Sequence, residues 1–185
     1  CDSPEQFVNG SWYYTTGTTY AQSLSYVNNY YTLLAAKEMG IDLEDESLLS
    51  QEEYSILKTV MYQIDKYDPI VVGLSGQVKE FREEEYYSDL GDPAHRHISH
   101  LVGLYPGNLI NSSTPAWIDA AKVSLTERGM DGVGWGLAHK LTLWTKTKDG
   151  DTAHIFVENL LKDCIANNLW DLYFSSSKAC SKKLF

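Results

Sequence analysis

The sequence lacks several features that would assign it quickly to a class of protein. Its 185 residues contain three cysteines, Cys1, Cys164 and Cys180, and an odd, scattered set of this kind indicates neither a disulfide framework nor a zinc cluster. No run of 18 apolar residues is present, so we predict no transmembrane helix and no membrane partner. No signal-peptide pattern is visible, and the compartment stays open between a secreted and a cytoplasmic parent protein.

Basic residues are also scarce. Fifteen lysines and arginines against 25 aspartates and glutamates give a formal net charge of −10, which argues against binding to a phosphate backbone, so we expect no nucleic-acid partner. Aromatic residues are frequent, with thirteen tyrosines and five tryptophans. Rings with a polar edge suit sugar binding, but they are equally ordinary in a protein core, so composition alone does not choose.

Helical periodicity covers most of the chain. The spacing of apolar residues predicts helices over 19–39, 50–67, 114–128, 135–146 and 151–167, and more weakly over 97–104. Ser50 with Glu53 forms a capping-box pattern, and Thr114-Pro115 is a favourable N-cap and N1 pair. The sequence therefore predicts an all-α fold, in which helical hairpins form a stacked or toroidal array.

Two other patterns bear on packing. In the first predicted helix, five apolar residues form one stripe: Tyr20, Leu24, Val27, Tyr31 and Leu34. Residues 69–96 form a long connection rich in glycine, in which "VVGLSGQVKEF" could hold a short strand or hairpin. Connections of this length inside a compact domain are usually functional or disordered.

Histidines are concentrated in the segment "HRHISH", residues 95–100. His95, His97 and His100 could supply three nitrogens to zinc, but the permanent cation of Arg96 between them is a poor neighbour for a dication. We therefore predict no metal site. A guanidinium beside imidazoles suits the hydroxyls of a sugar, and it equally suits a carboxylate or phosphate. A plainer interpretation is that His100 supports the start of a helix.

Four glutamates lie between residues 80 and 85. For Glu83, Glu84 and Glu85 the sequence favours a solvated acidic face. Glu80 differs because it lies next to Phe81, and a carboxyl group against an aromatic ring is desolvated, which raises its pKa and suits a general acid.

These segments, taken in order, resemble glycoside hydrolase family 95, the inverting α-L-fucosidases. The resemblance is carried by "SPE" at 3–5, "GQVKEF" at 76–81, "DPAHRHISHLVGLYPGNLI" at 92–110 and "SLTERGMDGVGWGLAHKLTLW" at 124–144. It covers roughly residues 1–171. It implies a partial catalytic domain over 1–171, about half of an (α/α)6 barrel, followed by a divergent tail over 172–185 that reads as a truncation or frameshift.

The resemblance also implies a function and a site. It implies cleavage of terminal α-L-fucosyl, or α-L-galactosyl, linkages in glycans with inversion, without a cofactor. Glu80 would be the general acid. The residues implied to bind the sugar are Arg96, His97 and Glu5, with Thr18 and Trp135 in the pocket wall. The alternative is a remnant that binds a sugar without turning it over.

The chain departs from the family pattern at several positions. Phe81, Gly136 and His139 replace a tryptophan, a serine and a tryptophan. The family's water-activating side uses an upstream N-x-N segment and a downstream D-G-N-F-G motif, and neither is present in the 185 residues. We therefore expect the chain to carry the acid but not the base, with the remainder of the barrel outside it.

Overall fold

The fold consists mainly of α-helices within residues 5–8, 11–90 and 92–173, which are the residues that the computed structural model describes. The helices are α1 (Thr19–Glu38), α2 (Gln51–Ile64), α3 (Pro115–Glu127), α4 (Gly134–Lys146) and α5 (Gly150–Asp163). Short 3-10 turns cover Glu46–Leu48 and Ser99–Leu101. The all-α class is confirmed, and the paired helices α1–α2 and α4–α5 fit a segment of a helical toroid. None of the described helices has the length and apolarity needed to cross a membrane.

One β-hairpin precedes the helices, and the sequence did not predict it. Strands β1 (Glu5–Val8) and β2 (Ser11–Tyr14) pair antiparallel. The hairpin brings the chain to Thr18, which caps α1 by accepting a hydrogen bond from the amide of Ala21. It therefore adds a short element to the all-α fold at the start of α1.

Local sequence signals set most helix ends. The predicted capping box is present, because the Ser50 hydroxyl accepts from the Glu53 amide at 3.3 Å and the Glu53 carboxylate accepts from the Ser50 amide at 2.9 Å. Gly40 and Gly129 follow α1 and α3 with φ of +73° and +69°. This left-handed conformation ends helices and favours glycine.

Two helix starts differ from the prediction. Pro115 occupies the first position of α3 as predicted, but the Thr114 hydroxyl donates to the carbonyl of Leu109 and does not cap the helix. The weak pattern over 97–104 forms only the single 3-10 turn Ser99–Leu101.

The hydrophobic core lies where the segment from 98 to 110 meets α3, α4 and α5. Its largest fully buried side chains are each at most 1% exposed: Ile98, Leu101, Leu104, Ile110, Leu125, Leu143 and Phe156. Burying one such side chain contributes about 1.5–3 kcal/mol. Because this core begins one residue after His97, it fixes the histidine-containing segment to the three carboxyl-terminal helices.

The apolar stripe of α1 does not face this core. Leu24 and Tyr31 are 41% and 54% exposed and line open clefts. The buried face of α1 is partly polar: Ser23 donates to the carbonyl of Pro69 at 2.7 Å, and Thr19 is buried beside it. Polar bonds therefore tie α1 to the long connection that follows α2.

That connection folds back on itself, as the sequence allowed. Val72 and Val78 form an isolated antiparallel bridge, and the Val78 amide donates to the hydroxyl of Ser124 in α3 at 2.9 Å. A Cβ atom at Gly73 would lie 2.3 Å from the side-chain amide of Gln77, so a larger residue there would require that buried side chain to move. The turn is thus anchored on α3 two residues before Glu80.

Candidate active site

Glu80 lies between the start of α1 and the anchored turn. Its carbonyl accepts from the amide of Thr19 at 3.1 Å, and its own amide donates to the carboxylate of Glu84 at 2.6 Å. Its side chain is 18% exposed. Thr18 is the residue before Thr19, so the cap of α1 lies next to the backbone of Glu80. Hydrogen bonds on both sides therefore fix the main chain from which the carboxyl group extends.

Glu84 corrects the prediction of a solvated acidic face. It is 3% exposed, and its carboxylate accepts from the amides of Glu80 and Phe81 and, at 3.2 Å, from the side-chain amide of Gln77. Glu83 and Glu85 are exposed, as predicted. The sequence could not distinguish Glu84 from the two exposed glutamates beside it, because the backbone amides that bind its carboxylate come together only when the turn folds.

The Glu84→Gln substitution is expected to lower the free energy of unfolding by about 1–3 kcal/mol, the range for a buried hydrogen-bonding group that loses its partner. Glutamine keeps the volume but offers one acceptor oxygen, so its amide nitrogen would meet either the Gln77 amide or the backbone donors. Urea unfolding followed by circular dichroism measures the change. Glu85→Gln, in an exposed side chain, is the matched control and should stay within about 0.5 kcal/mol of the parent chain. Equal effects of the two variants would contradict the assigned role of Glu84.

Arg128 binds the carboxylate of Glu80. The sequence did not predict Arg128 as a site residue. Its guanidinium donates to the Glu80 carboxylate at 3.1 Å and to the Tyr87 hydroxyl at 2.9 Å. It also donates to the backbone carbonyls of His95, at 2.8 Å, and His97. The side chain is 2% exposed. One feature of the sequence could have indicated this role. Arg128 precedes Gly129 at the end of α3, where the chain turns and a long basic side chain can point into the protein.

The three histidines take different positions around this guanidinium. The rings of His95 and His97 pack edge to face at 4.7 Å between centroids, and the His97 ring lies 5.3 Å from that of Trp135. His100 is buried, with Nδ1 3.8 Å from the Glu80 carboxylate. Burial, followed by the charge of Arg128, holds the pKa of His100 well below its ordinary value. His100 is therefore neutral at pH 7 and leaves the positive charge beside Glu80 to Arg128.

Arg96 and Trp135, two other predicted residues, do not line the cavity that Glu80 lines. Arg96 is exposed and lines a cleft of about 510 Å³ together with the loop 129–133. Trp135 is 41% exposed at the first turn of α4 and contacts His97. Glu80 lines a separate, narrow cavity, and Arg128 contributes to the lining of both. The side chain of Glu5 lies outside the described part of the structure.

The arrangement can position a carboxyl group for proton transfer and present nitrogen donors to a polar ligand. The guanidinium of Arg128 favours the ionised carboxylate, whereas exclusion of water favours the neutral acid. Within residues 5–8, 11–90 and 92–173, no group of three or more histidine, cysteine, aspartate or glutamate side chains is arranged to hold a metal ion. The geometry thus supports acid–base chemistry at Glu80.

Comparison with known proteins identifies the family of the chain. The model of the glycosyl hydrolase family 95 catalytic domain matches residues 1–178. Alpha-L-fucosidase 2 of Arabidopsis thaliana is 30% identical over 128 residues, which are 67% of this chain and 15% of the relative. A probable alpha-fucosidase A of Aspergillus niger is 28% identical over 133 residues, 68% of this chain and 16% of the relative.

A second fungal relative aligns over more of the chain. The probable alpha-fucosidase A of Aspergillus oryzae is 27% identical over 183 residues, 94% of this chain and 23% of the relative. The chain thus spans between 15% and 23% of the length of these curated relatives.

Proposed function

The chain belongs to glycosyl hydrolase family 95, and we propose that it forms the general-acid side of an enzyme that removes terminal α-L-fucosyl residues from glycans. The closely similar α-L-galactosyl group is the second candidate substrate. The observation that carries the proposal is the Glu80 carboxyl group, which Arg128 holds at 3.1 Å beside the histidine-containing segment. The names of the three relatives, each an alpha-fucosidase, support the choice of sugar.

In the proposed reaction Glu80 donates its proton to the glycosidic oxygen as the bond from that oxygen to the anomeric carbon breaks. The electron pair of the bond stays on the departing oxygen. Water attacks the anomeric carbon from the opposite face and gives up its proton to a base, so the configuration is inverted. In inverting enzymes the acid and the base lie about 6.5–9.5 Å apart, which leaves room for the water.

Substrate binding supplies a reason for Glu80 to act as an acid although a guanidinium lies beside it. A sugar bound against Glu80 removes water from the carboxyl group, and desolvation favours the protonated form. Arg128 meanwhile fixes the direction of the carboxyl group and stabilises the carboxylate that remains after proton transfer. Orientation and charge stabilisation thus come from the same side chain.

The proposed sugar contacts are those that the family resemblance implies. Arg96 and His97 present a guanidinium and an imidazole, which suit hydroxyl groups and the ring oxygen of a sugar. Trp135, which is 41% exposed and packs against His97, offers a flat apolar face. Glu5 is a further proposed sugar-binding residue, and Thr18 joins Trp135 in the proposed pocket wall.

The test compares the 185-residue chain with the same chain extended by flanking coding sequence that contains the N-x-N and D-G-N-F-G motifs. With an α-L-fucosyl substrate, we expect the extended chain to turn over and to release the β-anomer first, as nuclear magnetic resonance can show. The 185-residue chain should be at least about 10²-fold slower, since it lacks the water-activating partner.

Two results would change this proposal. Equal rates for the two chains would place the base within the 185 residues, and Asp92, Asp131 and Asp171 would then be the candidates. Binding of L-fucose without turnover by either chain would favour the alternative, a sugar-binding remnant.

A further inference from the structure

Lys140 is a buried cation that the proposed chemistry does not use. It lies in α4 and is 2% exposed. Its ammonium group donates to three backbone carbonyls, those of Arg128 at 3.0 Å, Gly129 at 2.8 Å and Asp131 at 2.8 Å. An ammonium has three donors and no acceptor, so these three bonds use its whole hydrogen-bonding capacity.

The three carbonyls belong to the end of α3 and to the loop that follows it. Carbonyls at a helix carboxyl end lack partners within the helix and carry partial negative charge, so a cation there is favourable. The same loop, residues 129–133, lines the cleft that contains Arg96. Lys140 therefore fixes both the backbone of Arg128 and one side of the cleft.

The side chain of Arg128 extends from this fixed backbone towards Glu80. There it contacts the Glu80 carboxylate, the Tyr87 hydroxyl and two carbonyls of the histidine-containing segment. An arginine carries five N–H donors in a rigid fork, so a small displacement of its backbone breaks several contacts together.

We propose that Lys140 is a positioning residue for Glu80: it clamps the end of α3 so that Arg128 stays in contact with the acid carboxyl group. The proposal rests on the proposed function of Glu80 for its catalytic meaning. The coupling of Lys140 to Glu80 through Arg128 is measurable whether or not Glu80 is the acid, so the two ideas can fail separately.

The protonation of Lys140 agrees with this role. Burial, then the charge of Arg128, lowers the pKa of Lys140 to about 8, while Asp131 partly opposes the shift. Below pH 8 the side chain is thus an ammonium with three donors for three carbonyls. Above pH 8 it loses one donor, and one of the three carbonyls loses its bond.

The test follows the carboxyl resonance of Glu80 by carbon-13 nuclear magnetic resonance in the 185-residue chain, assigned by its loss in Glu80→Gln. In Lys140→Met we expect the pKa of Glu80 to rise by about one unit or more, because an adjacent arginine lowers a carboxyl pKa by about 1–3 units. Lys146→Met removes an exposed cation from the same helix and should shift that pKa by a few tenths of a unit at most, on the order of a surface charge effect.

A double-mutant cycle separates positioning from the direct effect of the lysine charge. If Lys140 acts through Arg128, Lys140→Met should leave the pKa of Glu80 unchanged in a chain that already carries Arg128→Met. The same shift in both backgrounds would overturn the proposal, and so would a folded Lys140→Met chain with the parent pKa.

The parent chain gives a second measurement if Lys140→Met does not fold. Between pH 7 and 9 the Arg128 side-chain and Gly129 amide resonances should shift with a midpoint near the Lys140 pKa of about 8. Arg128 and Asp131 are the charged groups that face Lys140. Resonances that stay constant through it would overturn the proposal.

Discussion

Replacing Glu80 with glutamine is expected to lower kcat for an α-L-fucoside by a factor of about 10²–10⁴ in the extended chain, the usual contribution of a general acid. Glutamine keeps the size of the side chain and can still accept a hydrogen bond from Arg128. It has no acidic proton to give to the glycosidic oxygen. Steady-state kinetics with a natural disaccharide and with an aryl fucoside measure the effect.

The leaving group distinguishes a missing acid from a damaged site. A fucoside of a strongly acidic phenol departs without protonation, so Glu80→Gln should lose far less activity on that substrate than on the disaccharide. Glu85→Gln, in the same loop with an exposed side chain, is the control and should keep the parent rate. Equal losses on both substrates would contradict the assignment of Glu80 as the acid.

The Arg128→Met substitution is expected to lower the free energy of unfolding of the 185-residue chain by about 3 kcal/mol, near the lower end for breaking a buried ion pair, because Glu80 is partly exposed. Methionine keeps much of the apolar stem but removes every donor. It leaves the Glu80 carboxylate and the carbonyls of His95 and His97 without the guanidinium. Urea unfolding at pH 7, followed by circular dichroism, measures the loss.

The chain contains a matched control for this substitution. Arg82 pairs with Asp68 at the surface, where the two side chains are 55% and 58% exposed. Exposed ion pairs contribute about 0–1 kcal/mol, so Arg82→Met should change stability little. A loss as large in Arg82→Met as in Arg128→Met would show that burial does not distinguish the two arginines.

The sequence by itself determined the features that depend on near neighbours. The capping box of Ser50 and Glu53 joins residues three positions apart, and Gly40 ends α1 through its own backbone conformation. The motifs around Glu80 and His97 were sufficient to indicate the family, which the match over residues 1–178 then established. Signals of this kind are readable because each lies within a few consecutive residues.

Tertiary structure decided which charged groups meet. Glu84 is indistinguishable from its glutamate neighbours in the sequence, and only the fold of the turn aims backbone amides at its carboxylate. Arg128 binds Glu80, which lies 48 residues earlier in the chain. Lys140, in the next helix, binds the backbone carbonyl of Arg128 and two carbonyls of the loop that follows it. Such contacts depend on how α3 and α4 pack around the core, and the energy of that packing is spread over many apolar side chains. No local pattern of residues records it, so the partners of a buried charge become visible only in the folded chain.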